Sequence, residues 1–214
     1  MKKKALLLGV FVLLYCYNLN GQNSTIEFGI TFGGNFSQFT PDHKVGGITY
    51  LDYKPKLGFF AGGYANVIIG NNFNMQPELM FASQGTNILV EDIQVYDSEG
   101  FLISDSDYES KINEFTIILP IVFQYLFNDV FYIEAGPQLG YIFNVKEKVK
   151  KSPFEYNATN NTFESNVFDL GLTLGFGYKI AKNLAVNLRY FLGIIERNGT
   201  LKSSVLNWGV QFKL

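Results

Sequence analysis

Glu78, Glu134 and Arg189 have the spacing in this sequence best suited to chemistry. Each falls on the polar face of an alternating segment, four to six residues from a short turn: Gly70-Asn71-Asn72, Phe127-Asn128-Asp129 or Ala181-Lys182-Asn183. Equal distances from turns on one side of a sheet place the three at comparable depth, so one guanidinium could bridge one or both carboxylates. Such a cluster is either a plug of paired charges or a proton or ion pathway, and the plug is favoured because a narrow barrel is filled by its side chains. Asp105, Asp107 and Glu109 offer hard oxygen ligands for calcium, but no glycine-containing twelve-residue loop frames them. They are expected in a solvated acidic loop facing the lysines that follow Asn144. His43 is the single histidine and lies beside no nucleophile, so no catalytic, cofactor or metal site is expected.

The elements that must position these residues are strands. From Phe115 to Tyr125 every second residue is large and apolar, and after the Phe127-Asn128-Asp129 turn Phe131, Ile133, Ala135, Pro137, Leu139, Tyr141 and Phe143 keep the period while Glu134, Gly136, Gln138 and Gly140 take the other face. A period of two is a strand with two unlike faces. The same pattern recurs at Ile26 to Ser37, Lys56 to Ile69, Phe73 to Gln84, Asn166 to Ile180, Leu184 to Ile195 and Val205 to Leu214, which makes eight strands. Many are longer than the typical soluble strand and match the length of a tilted strand that crosses a bilayer. Connections two, four and six are three-residue turns, whereas one, three, five and seven are long or polar; residues 85–111 are expected as a long acidic loop, with 88–96 extending the hairpin beyond the membrane. That asymmetry is the pattern of an outer-membrane barrel with periplasmic turns and external loops.

Residues 1–21 are expected to be a cleaved signal peptide: Lys2, Lys3 and Lys4 precede an apolar run from Ala5 to Tyr17, and Leu19-Asn20-Gly21 offers a cleavage site. Residues 22–214 then form one domain with 14 basic and 19 acidic residues, a net charge of −5, which excludes an electrostatic nucleic-acid binder. Inverting the faces would give a soluble barrel around an apolar ligand. Its outer surface would then carry Gly, Asn, Gln and Thr with few charges, against the usual quarter or more charged residues of a soluble surface. The apolar face is therefore expected on lipid, with Phe28, Phe73, Phe127, Phe131, Tyr178 and Trp208 near strand ends as an aromatic girdle.

The segments QPELMFASQG, LPIVFQY, YIEAGPQLGY, LGLTLGFGYKI and LRYFLGI, with the opening FGITFGGNFSQF, resemble the PorT-like outer-membrane β-barrel family of Bacteroidetes-type bacteria. The resemblance implies an all-β, eight-stranded antiparallel up-and-down transmembrane barrel in the outer membrane of a Gram-negative cell. It carries no assigned activity, although founding members are implicated in a secretion system. One departure is the end of the last strand, where Lys213-Leu214 follow Phe212. Two functional classes follow. The first is a non-enzymatic, monomeric barrel, surrounded by outer-membrane lipid, whose long external loops engage an envelope protein. The alternative is a component of a secretion or transport apparatus, or a small pore. Both termini of an even-stranded barrel are expected on the periplasmic side.

Overall fold

The structure, a computed structural model, describes residues 26–45, 48–152, 160–163, 167–197 and 201–214. The expected signal peptide lies outside the described residues. Eleven antiparallel strands follow in order: β1 (Ile26–Thr40), β2 (His43–Val45), β3 (Ile48–Lys54), β4 (Lys56–Ile68), β5 (Phe73–Tyr96), β6 (Leu102–Leu126), β7 (Phe131–Lys151), β8 (Asn160–Phe163), β9 (Val167–Ala181), β10 (Leu184–Gly193) and β11 (Lys202–Lys213). Eight of them close a barrel in the order β5-β4-β1-β11-β10-β9-β7-β6, and the β5–β6 pairing completes the ring. The short strands stay outside this wall: β3 adds to β5 through Asp52–Lys54, and β8 adds to β7 through Val145–Lys148. Among the described residues no helix is long and apolar enough to cross a membrane. The eight-stranded barrel expected from the alternation is the observed architecture.

The alternation settles which face is outside. Along β9, Phe168, Leu170, Leu172, Leu174, Phe176 and Tyr178 are exposed, while Asp169 and Thr173 between them are buried. The apolar surface is therefore the outer one, as lipid requires, and the inverted, ligand-enclosing arrangement is excluded. Aromatic rings collect in two bands on this surface. Near the short turns Phe73, Tyr125, Phe127, Phe131 and Phe176 follow one another at centroid spacings of 5.0, 5.0, 5.8 and 6.4 Å. Near the opposite end Phe81 meets Phe59, Phe115 and Phe143, and Tyr141 meets Phe168. On β6 the bands are marked by Tyr125 and Phe115. Ten residues of strand are about 33 Å, or about 25 Å once tilted, which matches the apolar band of an outer-membrane barrel.

Two expectations need correction. Trp208 does not lie at a strand end: it is paired with Gly34 and Leu188 in the middle of β11's run, and its ring packs at 4.9 Å from Phe36. Gly34 is what makes room, because a Cβ there would strike the indole. Residues 85–111 are likewise not a loop apart from their tip, although the expected extension of the hairpin through 88–96 is observed. The β5–β6 ladder runs on without interruption through Gly85↔Asn113 to Val90↔Tyr108 and, with register shifts after Val90 and after Val95, to Tyr96↔Leu102. Asp105, Asp107 and Glu109 thus stand on a strand. The pairs from Val90↔Tyr108 outward form a two-stranded ribbon of roughly 20 Å beyond the neighbouring strands. Asp97 closes its tip, since its Oδ1 accepts the N–H groups of Glu99 and Phe101 at 2.9 and 2.8 Å. Outside the lipid neither ribbon face needs to be apolar, so polar residues fall on both and the period-two signal disappears.

Candidate functional site: the charged barrel interior

Counting from the turns, β5, β7 and β10 each bring one ionisable side chain into the barrel at the same level. The Arg189 guanidinium lies between the two carboxylates and pairs bidentately with both. Its Nε and Nη2 donate to Glu134 Oε1 and Oε2 at 2.5 and 3.0 Å; its Nη1 and Nη2 donate to Glu78 Oε2 and Oε1 at 2.8 and 2.7 Å. All three side chains are buried, Arg189 at 5% exposure and both carboxylates at 0%. Gln76 and Gln124 complete a closed ring: Gln76 donates to Glu78 at 2.7 Å, and Gln124 donates to Gln76 at 3.2 Å and to Glu134 at 3.0 Å. The alternation places both glutamines on the polar face without assigning them partners. Planar, forked donors facing two carboxylates give a rigid ion cluster with one uncompensated negative charge.

Above the ring the interior turns apolar along β4, β5 and β6, while Thr173 and Gln138 bond to each other on the opposite side at 2.9 Å. Phe60, Met80, Ala82 and Ile118 form a buried cluster inside the barrel, which a simple polar-in rule does not anticipate. A second ionic layer lies beyond it, toward the long connections. Arg197 donates to both oxygens of Glu114 at 3.0 and 3.2 Å and to Ser203 at 2.6 Å, and its guanidinium stacks 5.0 Å from the Phe39 ring. Lys56 is buried beside this layer and donates to the Gln84 carbonyl at 2.8 Å. Arg197 escapes a reading from the sequence because it lies past the last residue of β10, where no turn count reaches. The usable signal is its chemistry: an arginine returning toward a strand whose inward position holds Glu114. Together the polar, apolar and polar layers fill the lumen.

The acidic residues of the ribbon do not converge on one point, and no group of three acidic, histidine or cysteine side chains that could hold a metal occurs among the described residues. Asp107 is held instead by Lys151, at 3.1 Å, and accepts the Asp92 N–H at 3.3 Å. The lysine ammonium and that N–H hold the Asp107 carboxyl below the usual carboxylate range. A depressed folded value means the pair contributes above the ordinary carboxylate pKa, near 3.9, and is lost as the pH falls through the folded value. A carbon-detected NMR titration should therefore give Asp107 a midpoint below that of an unpaired aspartate. Lys151→Ala should move it up; an unchanged midpoint would mean that the lysine does not act on it.

Residues 20–196 match the family model described as the outer membrane protein β-barrel domain. The chain belongs to that family. The outer membrane protein β-barrel domain accounts for the apolar-out faces, the even-stranded wall and the filled interior just described. One solved structure agrees at the level of fold, and two others are similar at lower scores. Neisserial surface protein A is similar at 12% identity, covering 90% of this chain and 100% of its own, with a TM-score of 0.52. Ail, the attachment invasion locus protein of Yersinia pestis, solved with the heparin analogue sucrose octasulfate, is 15% identical, with coverages of 88% and 99% and a TM-score of 0.47. OprG of Pseudomonas aeruginosa is 14% identical, with coverages of 89% and 97% and a TM-score of 0.44. No curated protein sequence matches the chain significantly.

Proposed function

We propose that this outer-membrane barrel is a monomeric, non-enzymatic interaction protein of the PorT-like group, whose projecting strands bind an envelope partner while the barrel anchors them in lipid. The ribbon carries this reading: β5 and β6 run for 24 and 25 residues, against 10 for β10. Its tip exposes Tyr96, Phe101, Leu102 and Ile103, large apolar side chains that a solvated loop has no reason to display together. The layered interior supports an anchor rather than a pore. Residues 1–21 act as the export signal in this scheme, and the short turns and both termini face the periplasm. The Glu78–Glu134–Arg189 cluster is a structural plug.

The decisive experiment compares the full chain with a variant in which residues 91–107 are replaced by a short Asn-Gly turn. After crosslinking in native outer membranes, one envelope protein should be recovered with the full chain and lost with the shortened one, while both barrels keep the heat-dependent gel shift of folded protein. Equal recovery with both would sink the proposal. Stepwise currents from the purified barrel in planar bilayers would favour the alternative, a transport role.

A further inference from the structure

Lys146, Lys148, Lys150 and Lys151 crowd the outer end of β7, yet only Lys151 takes a carboxylate, that of Asp107 at 3.1 Å. Lys146, Lys148 and Lys150 are exposed, and together with the half-buried Lys111 they have no ion-pair partner among the described residues. One extra residue sets the direction in which they point. Within the wall the outward positions of β7 are odd-numbered, and Ile133, Leu139 and Phe143 are exposed there. At the aromatic band near the long connections the β6–β7 register slips: Thr116 pairs with Ile142 but Phe115 with Asn144, so Phe143 is a bulge on β7. β6 keeps its own alternation, because its ladder with β5 holds one register from Met80↔Ile118 to Val90↔Tyr108. Past the bulge, Asn144, Lys146 and Lys148 therefore stand opposite Phe115, Asn113 and Lys111 on the outer face. Without that single residue the lysines would turn toward the lumen.

We propose that this face binds the anionic headgroup of a membrane lipid, with Lys111, Lys146 and Lys148 around its phosphate and its chains against Phe81, Phe115 and Phe143. The three rings form one patch beside the lysines, Phe81 lying 5.9 Å from Phe115 and 6.0 Å from Phe143. Asn113 and Lys111 are two and four residues beyond Phe115. On a tilted strand that is about 5 and 10 Å along the membrane normal. A headgroup layer is about 5–7 Å deep beyond the hydrocarbon, and lysine side chains reach back toward it, so the ammonium groups fall at phosphate level. Neighbouring register positions bring no competing carboxylate: Asn87 of β5 faces Lys111, and β8 meets Lys146 and Lys148 at Thr162 and Asn160. Glu147 is turned away and accepts the Tyr108 hydroxyl at 3.1 Å, while Glu109 stands farther out, opposite Lys151. The occupant is a lipid rather than a soluble anion because the lysines continue the lipid-facing surface of the same two strands. The site does not depend on what the ribbon binds.

Photolabelling of the full chain folded into phosphatidylcholine vesicles tests it, with phosphatidylglycerol and phosphatidylcholine carrying the same photoreactive headgroup as probes. A lysine beside a charged headgroup is worth about fivefold, so the anionic probe should label residues 144–151 at least about tenfold more than the neutral one. Lys111→Gln, Lys146→Gln and Lys148→Gln combined should bring the two probes level. The heat-dependent gel shift of folded protein should survive, because none of the three lysines holds a structural partner. Lys179→Gln with Lys182→Gln, at the other end of the barrel, should leave the labelling of 144–151 unchanged. Equal labelling of the native chain by both probes, or a preference that outlasts the triple substitution, would overturn the proposal. Loss of labelling in excess inorganic phosphate would overturn it as well, by reducing the face to a soluble-anion site.

Discussion

Replacing Arg189 with alanine will destabilise the folded barrel by about 3–5 kcal/mol, read as a lower urea midpoint at unchanged slope. The magnitude comes from the two acids that stay behind rather than from the removed hydrogen bonds themselves. Glu78 and Glu134 are fully buried, and four of their hydrogen bonds come from this one guanidinium. Without it, two carboxylates remain out of water with no cation at their level, and their desolvation is uncompensated. Adding Glu78→Gln and Glu134→Gln to the alanine variant should recover most of the loss, since amides keep the ring's hydrogen bonds without its charge. Conductance should not change, because the interior of an eight-stranded barrel is just filled by its side chains. A variant of unaltered stability that conducts would refute the plug and revive an ion pathway.

Leu172→Arg should cost about 2–4 kcal/mol in folding from urea into lipid vesicles. Leu172 is paired with Leu192 and Pro137 in the wall, and 51% of it is exposed on the outer face. In a water-soluble protein so exposed a site would tolerate arginine with little effect. Here the guanidinium would have to sit in hydrocarbon or snorkel out of it. Gln94→Arg, on the ribbon, supplies the control: the same charge on an exposed strand position outside the wall should change stability by no more than about 0.5 kcal/mol. Equal tolerance at both positions would mean that the outer face does not meet lipid.

The wall was legible in the sequence because lipid and lumen enforce unlike faces, so each crossing strand carries a period of two. The depth of Glu78, Glu134 and Arg189 could be counted from the turns because strand rise is fixed and the turns are short. Legibility failed where those constraints lapse. Beyond the lipid, the ribbon from Val90 to Tyr108 has no imposed inner face, so a continuous ladder resembled an acidic loop. Inside the barrel, Ile118 and Val122 are buried although β6 also presents Ile117, Leu119, Ile121 and Phe123 outward, and a strand apolar on both faces carries no sign of which residues turn in. Trp208 departs from the expected girdle because aromatic type alone points to a membrane interface, while the vacant surface of Gly34 across the ladder is invisible without the register.

The closure between β1 and β11 also constrains how the protein can be made. These two strands lie at opposite ends of the chain and share a twelve-pair register, from Gly29↔Lys213 to Thr40↔Lys202. Until β11 arrives, β1 presents a row of unpaired backbone N–H and C=O groups, and hydrocarbon offers them no substitute. A partial wall of the first seven strands is therefore not a stable intermediate within the bilayer. Insertion therefore has to be coupled to closure of the β1–β11 seam. Truncation before Lys202 should consequently yield no inserted protein at all, rather than a smaller barrel.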